Sequence, residues 1–156
     1  MQPVSEYSLE KLPSSYPRAE YRCRLVRNGT PLPVVVNGND VGFQFKCGNL
    51  TVLATDLDYF DGVEHFIYLL NSEDRPIDQV SVSDTFGFLQ GATPISETEL
   101  SFGAFGTNDR WNLAVAKSGY WSYSCSEIRA RFNSFIFAKR YLTVHRKKGP
   151  LWSMPT

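Results

Sequence analysis

From Leu32 onward, apolar and polar residues alternate in short runs that are separated by turn residues about every ten positions. Val and Phe alternate with Gly, Gln and Lys over 41–46, and the same period returns over 100–105 and 111–116. Period-two alternation places successive side chains on opposite faces of a strand. The sequence therefore predicts an all-β domain of about nine or ten short, mainly antiparallel strands, arranged as a sandwich, a barrel or a curved sheet.

The 156 residues are enough for one domain and too few to expect two, so we expect a single domain over 1–156. Prolines interrupt residues 1–31, which predicts an irregular N-terminal segment before a β core over 32–148. Within that segment we expect a short helical turn at Ser5–Leu12 and a strand at Tyr21–Val26. A second short helix is expected near 126–131, followed by final strands at 132–137 and 141–144.

Turn residues indicate how the strands are connected. The Asn37-Gly38 dipeptide is typical of a tight hairpin, here between strands over 34–36 and 41–45. Further turns are expected at Gly48-Asn49, Asn71–Arg75, 106–109 and 118–119, the last of these leading into a strand over 120–124. In the strand over 77–83, the alternation directs Val80 and Val82 to the core. Most aromatic residues fall at inward positions, but four lie beside turns and are expected to be exposed: Tyr59, Phe60, Tyr120 and Trp121.

Composition and the spacing of cysteines and other reactive residues argue against several classes of protein and of functional site. No apolar run is long enough to span a membrane as a helix, and residues 1–6 show no secretory signal, so a cytoplasmic location without membrane association is expected. Cys23, Cys47 and Cys125 fit neither a disulfide framework nor a zinc site, which predicts reduced thiols. No catalytic motif, cofactor-binding motif or metal-ligand spacing is present.

Charge is strongly segregated although the formal net charge is zero. Residues 49–110 contain eleven acids and two arginines, a net −9, whereas residues 111–156 carry a net +7. Two interpretations are open: acidic and basic strands neutralise each other at the surface, or the acidic segment forms one face that attracts a basic partner. The basic stretch 139–148 contains Tyr141 and follows Phe135 and Phe137, and these aromatic rings could stack on bases. Because the pI is near 6.7 and no nucleic-acid-binding motif is present, we do not predict a nucleic-acid partner.

The densest group of acids lies in the segment 56–65. Its carboxylates repel one another unless a cation compensates. The spacing of Asp56, Asp58 and Asp61 departs from that of an EF-hand, which leaves an irregular calcium loop as an alternative. Tyr59 and Phe60 lie inside this group, and interfaces favour aromatic residues surrounded by charge. We therefore predict a partner-binding site formed by these acids and aromatics: Asp56, Asp58, Tyr59, Phe60, Asp61 and Glu64.

A single β-rich domain with two histidines, no catalytic motif and a dense acidic segment resembles the immunity proteins of bacterial polymorphic-toxin and contact-dependent growth inhibition systems. The resemblance covers residues 32–148 and concerns overall character only, so it assigns no role to any single residue. It implies a cytoplasmic binding protein that neutralises a cognate toxin domain, such as a basic nuclease, through an acidic surface.

Two other functions remain open at the sequence level. A small hydrolytic enzyme would use His65 or His145 together with nearby carboxylates. A ligand-binding β-barrel would enclose an apolar small molecule in its aromatic interior. We expect the binding protein rather than an enzyme, because no catalytic constellation is visible in the sequence.

Overall fold

The computed structural model describes residues 1–59, 62–85, 87–122 and 139–149. These residues are almost entirely β, which confirms the predicted fold class. The only helical element among them is a 3-10 turn at Ala19–Tyr21. The strands of the described residues are β1 Gln2–Pro3, β2 Tyr7–Lys11, β3 Arg22–Arg27, β4 Thr30–Asn37, β5 Asp40–Cys47, β6 Leu50–Tyr59, β7 Gly62–Leu70, β8 Pro76–Thr85, β9 Leu89–Pro94, β10 Glu99–Ala104, β11 Arg110–Tyr120 and β12 Arg140–Lys147.

In the described residues, the strands form three antiparallel sheets. The central sheet has the order β1-β5-β6-β7-β8. The N-terminal sheet has the order β2-β3-β4, and the C-terminal sheet has the order β12-β11-β10-β9. Almost every connection in the central sheet is a hairpin between sequence neighbours, as the regular turn spacing predicts.

The central sheet is buried on both faces. All eight residues of β6 from Leu50 to Leu57 are buried, which is the pattern of a strand with a layer packed on each side. Val52 and Ala54 belong to one apolar core, whereas Leu53 and Leu57 belong to another. Alternate residues of one strand therefore supply two different cores.

The larger core lies between the central and C-terminal sheets. Phe43 of β5 packs on Phe102 of β10 with ring centroids 5.3 Å apart, and Phe102 stacks on Trp111 of β11 at 5.9 Å. Val80 and Val82 belong to this core, as predicted. Aromatic rings thus fill the space between the two sheets.

The smaller core lies between the central and N-terminal sheets. Leu25 and Val36 of the N-terminal sheet pack against Leu53, Phe66 and other residues of the central sheet. The described part of the chain is therefore a stack of three layers without a closed barrel. Of the architectures that the sequence left open, the structure corresponds to a layered sandwich.

The N-terminal segment differs from the expectation. The helical turn predicted at Ser5–Leu12 is wrong, because Tyr7–Lys11 form strand β2. Tyr7 is buried and Leu9 half-buried, whereas Ser8 and Glu10 are exposed, so the local alternation has the period of a strand. The strand predicted at Tyr21–Val26 is confirmed as β3, and both strands belong to a sheet that covers the central one.

The Asn37-Gly38 hairpin is also wrong. β4 pairs with β3 and β5 pairs with β6, so residues 38–39 carry the chain from one sheet to the next. Gly38 has φ of 107°, and a Cβ at this position would lie 2.7 Å from Oγ1 of Thr55. The glycine is needed here for a close crossing between layers as well as for its backbone conformation.

The remaining turn predictions are mostly confirmed: 48–49, 71–75 and 106–109 connect successive strands. Residues 118–119 instead lie within β11, where the pairing with β12 shifts between Val115 and Tyr120. Gly119 has φ of 66°, so the glycine accompanies an irregularity of the strand rather than a turn. The strand expected over 120–124 lies mostly outside the described residues, as do the helix near 126–131 and the strand over 132–137, whereas the strand over 141–144 is confirmed within β12.

Candidate functional site

The residues predicted to bind a partner cluster around the hairpin that joins β6 and β7. Asp58 and Tyr59 end β6 and are exposed, and Tyr59 lies opposite Gly62 at the start of β7. Glu64 of β7 is half-buried. Phe60 and Asp61 lie outside the described residues. Three of the six residues, Asp58, Tyr59 and Glu64, are therefore brought together at one end of the central sheet.

Asp56 does not belong to this surface. Its side chain is buried between the central and C-terminal sheets, and its Oδ1 lies 2.7 Å from Nδ1 of His65. The amide of Leu89 contacts the other carboxylate oxygen at 3.4 Å. Asp56 therefore holds two layers together and cannot contact a partner in this structure. The sequence contained an indication of the Asp56–His65 pair. The two residues are equally far from the turn, so a tight hairpin places them opposite each other.

Tyr59 is exposed but held in position. Its hydroxyl donates to Oε2 of Glu64 at 3.2 Å, and its ring lies 5.9 Å from the ring of Tyr21. Partial burial, followed by the neighbouring charge of Glu64 and this hydrogen bond, raises the pKa of Tyr59 to about 12. The hydroxyl therefore remains a hydrogen-bond donor throughout the physiological pH range.

Two further exposed aromatic residues lie at the same end of the molecule. Val63, next to the β6–β7 turn, lies opposite Thr85, where β8 ends. The chain then reaches Phe88, whose carbonyl accepts a hydrogen bond from the amide of Phe105 at 3.0 Å. Phe88 is 46% exposed and Phe105 is 68% exposed. We call Asp58, Tyr59, Phe88 and Phe105 the hairpin end.

Sequence reasoning missed both phenylalanines of the hairpin end. Phe105 lies three residues after the buried Phe102 and just before a turn. The alternation of inward and outward side chains therefore indicates an outward position for Phe105. Of the other aromatics expected to be exposed, Trp121 is 58% exposed and Tyr120 is half-buried. The Tyr120 hydroxyl donates to the carbonyl of Leu142, which ties it to β12.

A cleft of about 130 Å³ opens beside Tyr59 on the side of the N-terminal sheet. We call it the arginine–tyrosine cleft. It is lined by Arg18, Tyr21, Arg22, Asn37, Leu57, Tyr59, Glu64 and Phe66. The sequence did not single out Arg18 or Arg22, because nothing local relates them to a hairpin some forty residues away.

The acidic segment does not form one continuous face among the described residues. Asp74 accepts hydrogen bonds from Tyr7 at 2.5 Å and from Arg27 at 3.2 Å, at the end of the central sheet that lies opposite the hairpin end. Asp109 pairs with Arg146 at 2.6 Å. The Asp78 side chain accepts hydrogen bonds from the backbone amides of Tyr141 and Leu142 in β12. Several acids of this segment therefore join layers or strands, in agreement with the interpretation that acidic and basic strands compensate each other.

The two histidines are far from equivalent. His65 is completely buried, so its ring cannot contact a substrate in this structure. His145 is exposed on β12, opposite Asn112, and belongs to a different sheet. Within the described ranges, His145 forms neither a hydrogen bond nor an ion pair with a carboxylate. The arrangement therefore gives no support to the hydrolytic alternative.

In the part of the chain that the structure describes, no group of three His, Cys, Asp or Glu side chains is placed to hold a metal ion. None of the described helices is long and apolar enough to cross a membrane. Compared with known proteins, the chain matches no protein-family model, no curated protein and no solved structure.

Proposed function

We propose that this chain is a binding protein that neutralises a basic partner protein, as the bacterial immunity proteins that it resembles neutralise toxins, and that the hairpin end is its contact surface. The observation that carries the proposal is the placement of Tyr59, which is 38% exposed at the end of β6 and follows exposed Asp58 in the chain. Tyrosine is enriched at the centres of protein interfaces, where it supplies apolar area and one hydrogen bond.

The geometry around Tyr59 supports this role. The hydrogen bond to Glu64 and the contact with the Tyr21 ring restrict the motion of the Tyr59 side chain. A side chain that is already held in place loses less conformational entropy when a partner binds. The hairpin end thus presents an aromatic anchor that needs little reorganisation.

Exposed aromatic residues and acids also occur at the hairpin end on the face of β6 that points away from Arg18 and Arg22. Phe88 and Phe105 add exposed apolar area beside the end of the C-terminal sheet. Asp40 lies opposite Asp56 at the start of β5 and is exposed, as is Asp58. Exposed carboxylates around an aromatic centre accelerate association with a basic partner and make binding sensitive to salt.

The observations favour this proposal over the two alternatives. The hydrolytic alternative would use His65 or His145 with nearby carboxylates, but His65 is buried and His145 bonds to no carboxylate of the described residues. A ligand-binding barrel needs a hollow interior, whereas aromatic and aliphatic side chains fill the spaces between the described sheets. We also place the protein in a reducing compartment such as the cytoplasm, because Cys23 and Cys47 are free, buried thiols.

The proposal is tested by co-expression with the product of the neighbouring reading frame, which we expect to contain a toxin domain. We expect the wild type to restore growth and to form a stable complex with that domain. Tyr59→Ala should accelerate dissociation and weaken binding by about 30-fold, equivalent to about 2 kcal/mol, as expected for an interface hot spot. Asp58→Asn should slow association and reduce its dependence on salt.

Glu73→Gln is the matched control, because Glu73 is an exposed acid at the opposite end of the central sheet. We expect this variant to bind as the wild type does. If the neighbouring reading frame encodes no toxin domain, or its product forms no complex with the wild type, the immunity function is wrong. If Tyr59→Ala and Asp58→Asn both retain full affinity at low salt, the hairpin end is not the contact surface.

A further inference from the structure

The arginine–tyrosine cleft has the dimensions of a site for one small ring. Its volume of about 130 Å³ is close to that of an apolar cavity of about 150 Å³ that accommodates benzene. The cleft lies between the β6–β7 hairpin and the 3-10 turn that precedes β3. Two layers of the fold therefore contribute to it, and each layer supplies one wall.

The inner part of the cleft is apolar and aromatic. Leu57 and Phe66 are buried members of the smaller core and line the cleft from the central sheet. The rings of Tyr21 and Tyr59 are inclined at 45° to each other with their centroids 5.9 Å apart. Aromatic rings in such tilted arrangements contact further rings favourably, so a planar apolar group would fit beside them.

Hydrogen-bond donors dominate the polar part of the cleft. Arg18 and Arg22 both line it, and within the described residues neither guanidinium forms an ion pair or a side-chain hydrogen bond. Asn37 lines the cleft as well. Glu64 is the single acidic residue of the lining, and its Oε2 accepts the hydrogen bond from Tyr59. Two guanidinium groups against one carboxylate give the cleft a net positive charge.

We propose that the arginine–tyrosine cleft binds a small aromatic carboxylate. The ring would occupy the apolar part beside Tyr21 and Tyr59, and the carboxylate would face Arg18 and Arg22, whose planar guanidinium groups match carboxylate geometry. A cationic ligand is disfavoured because the two arginines outnumber Glu64. The cleft shares Tyr59 with the hairpin end, but benzoate binding is measured on this chain alone and does not require the proposed partner protein.

The probe is benzoate, which is titrated into the full chain and followed by calorimetry and by chemical shifts of the tyrosine rings. We expect a dissociation constant in the millimolar range or tighter, as usual for a ligand of this size. Benzamide has the same ring without the charge, and inorganic phosphate has charge without a ring. We expect both to bind at least about tenfold more weakly than benzoate, because each lacks one of the two interactions.

Substitutions of residues that line the cleft test whether benzoate binds there. Arg22→Gln and Arg18→Gln should each weaken benzoate binding by about tenfold. Glu64→Gln removes the opposing charge and retains an oxygen that can accept from Tyr59, so it should tighten binding by about threefold. The matched control is Arg24→Gln: Arg24 lies two residues further along β3, pairs with Glu10 and does not line the cleft. It should bind benzoate as the wild type does.

Equal binding of benzamide and benzoate, or unchanged affinity in both cleft arginine variants, would overturn the proposal. Phosphate binding as tight as that of benzoate would also overturn it, because the ring would then contribute nothing. Urea unfolding of each variant separates loss of binding from loss of folding. Failure of benzoate to bind leaves the growth-rescue test unaffected, and failure of growth rescue leaves the benzoate titration unaffected.

Discussion

Oδ1 of Asp56 lies 2.7 Å from Nδ1 of His65, and both side chains are buried between the central and C-terminal sheets. The two residues occupy opposite positions on β6 and β7. A carboxylate in this position accepts a hydrogen bond from Nδ1–H, which fixes the orientation of the imidazole ring. This pair satisfies a carboxylate that would otherwise be buried at a high cost.

Replacement of His65 should be strongly destabilising. His65→Phe retains a ring of similar size but leaves the Asp56 carboxylate buried without this partner. We expect a loss of about 3–5 kcal/mol in the free energy of unfolding, measured by urea denaturation. Adding Asp56→Leu to this variant should recover part of the loss, because the unpaired charge is then removed.

His145→Phe is the control for the same chemical change at an exposed position. It should alter stability by no more than about 0.5 kcal/mol. Equal effects at the two histidines would contradict the importance that we assign to the buried pair.

Gly38 and Gly48 both have positive φ, and we expect Gly38 to tolerate substitution less well than Gly48. A Cβ at Gly38 would meet the Thr55 side chain at 2.7 Å, whereas a Cβ at Gly48, with φ of 64°, would have no neighbour within 4 Å. Gly48→Ala should therefore cost only the backbone strain of about 1–2 kcal/mol. Gly38→Ala should cost about 1–3 kcal/mol more, because Thr55 or the backbone must also move. Thermal unfolding of the two variants gives the comparison, and similar costs would show that the crossing between layers tolerates a side chain.

Alkaline pH should weaken the contact between the N-terminal sheet and the β7–β8 turn. Burial, followed by the hydrogen bond to Asp74, raises the pKa of Tyr7 to about 12. Since the folded-state pKa lies above the ordinary value of about 10, this stabilisation is complete below pH 10 and is lost as pH rises toward 12. Tyr7→Phe should be less stable at neutral pH and should show a smaller loss of stability between pH 10 and pH 12. An unchanged alkaline profile in this variant would show that Tyr7 does not titrate with unfolding.

The cysteines should be protected in the native protein. Burial raises the pKa of the Cys23 and Cys47 thiols, and the Cys47 thiol donates to the carbonyl of Glu97 at 3.2 Å. Both thiols should therefore react with a thiol reagent at least about tenfold more slowly in the native than in the unfolded protein. After unfolding without reductant, the titration should count all three thiols in the chain, Cys125 included. A count of one would indicate a disulfide.

The candidate site was only partly predictable from the sequence. The exposed position of Asp58 and Tyr59 follows from their place beside a turn, which the local pattern indicates. The role of Asp56 follows only in part: its position opposite His65 is indicated by the spacing about the hairpin, but its contact with Leu89 of another sheet is not. The arginine–tyrosine cleft was not predictable either, since Arg18 and Tyr59 meet only after the N-terminal sheet packs on the central one.

Most of the local structure from Leu32 onward follows from the residue pattern alone. Side chains on a strand alternate for reasons of backbone geometry, so the positions of most strands and the inward direction of Val80 and Val82 could be predicted from the residues alone. The pairing of the strands became clear only in the folded molecule, as did the position of Gly38 in a crossing between two sheets rather than in a hairpin. Acids that are close in sequence likewise lie in different layers and at opposite ends of the central sheet. Strand pairing and burial depend on contacts between residues that are far apart in the chain. Such contacts leave no signal in a short stretch of sequence, so they could not be predicted from the local pattern.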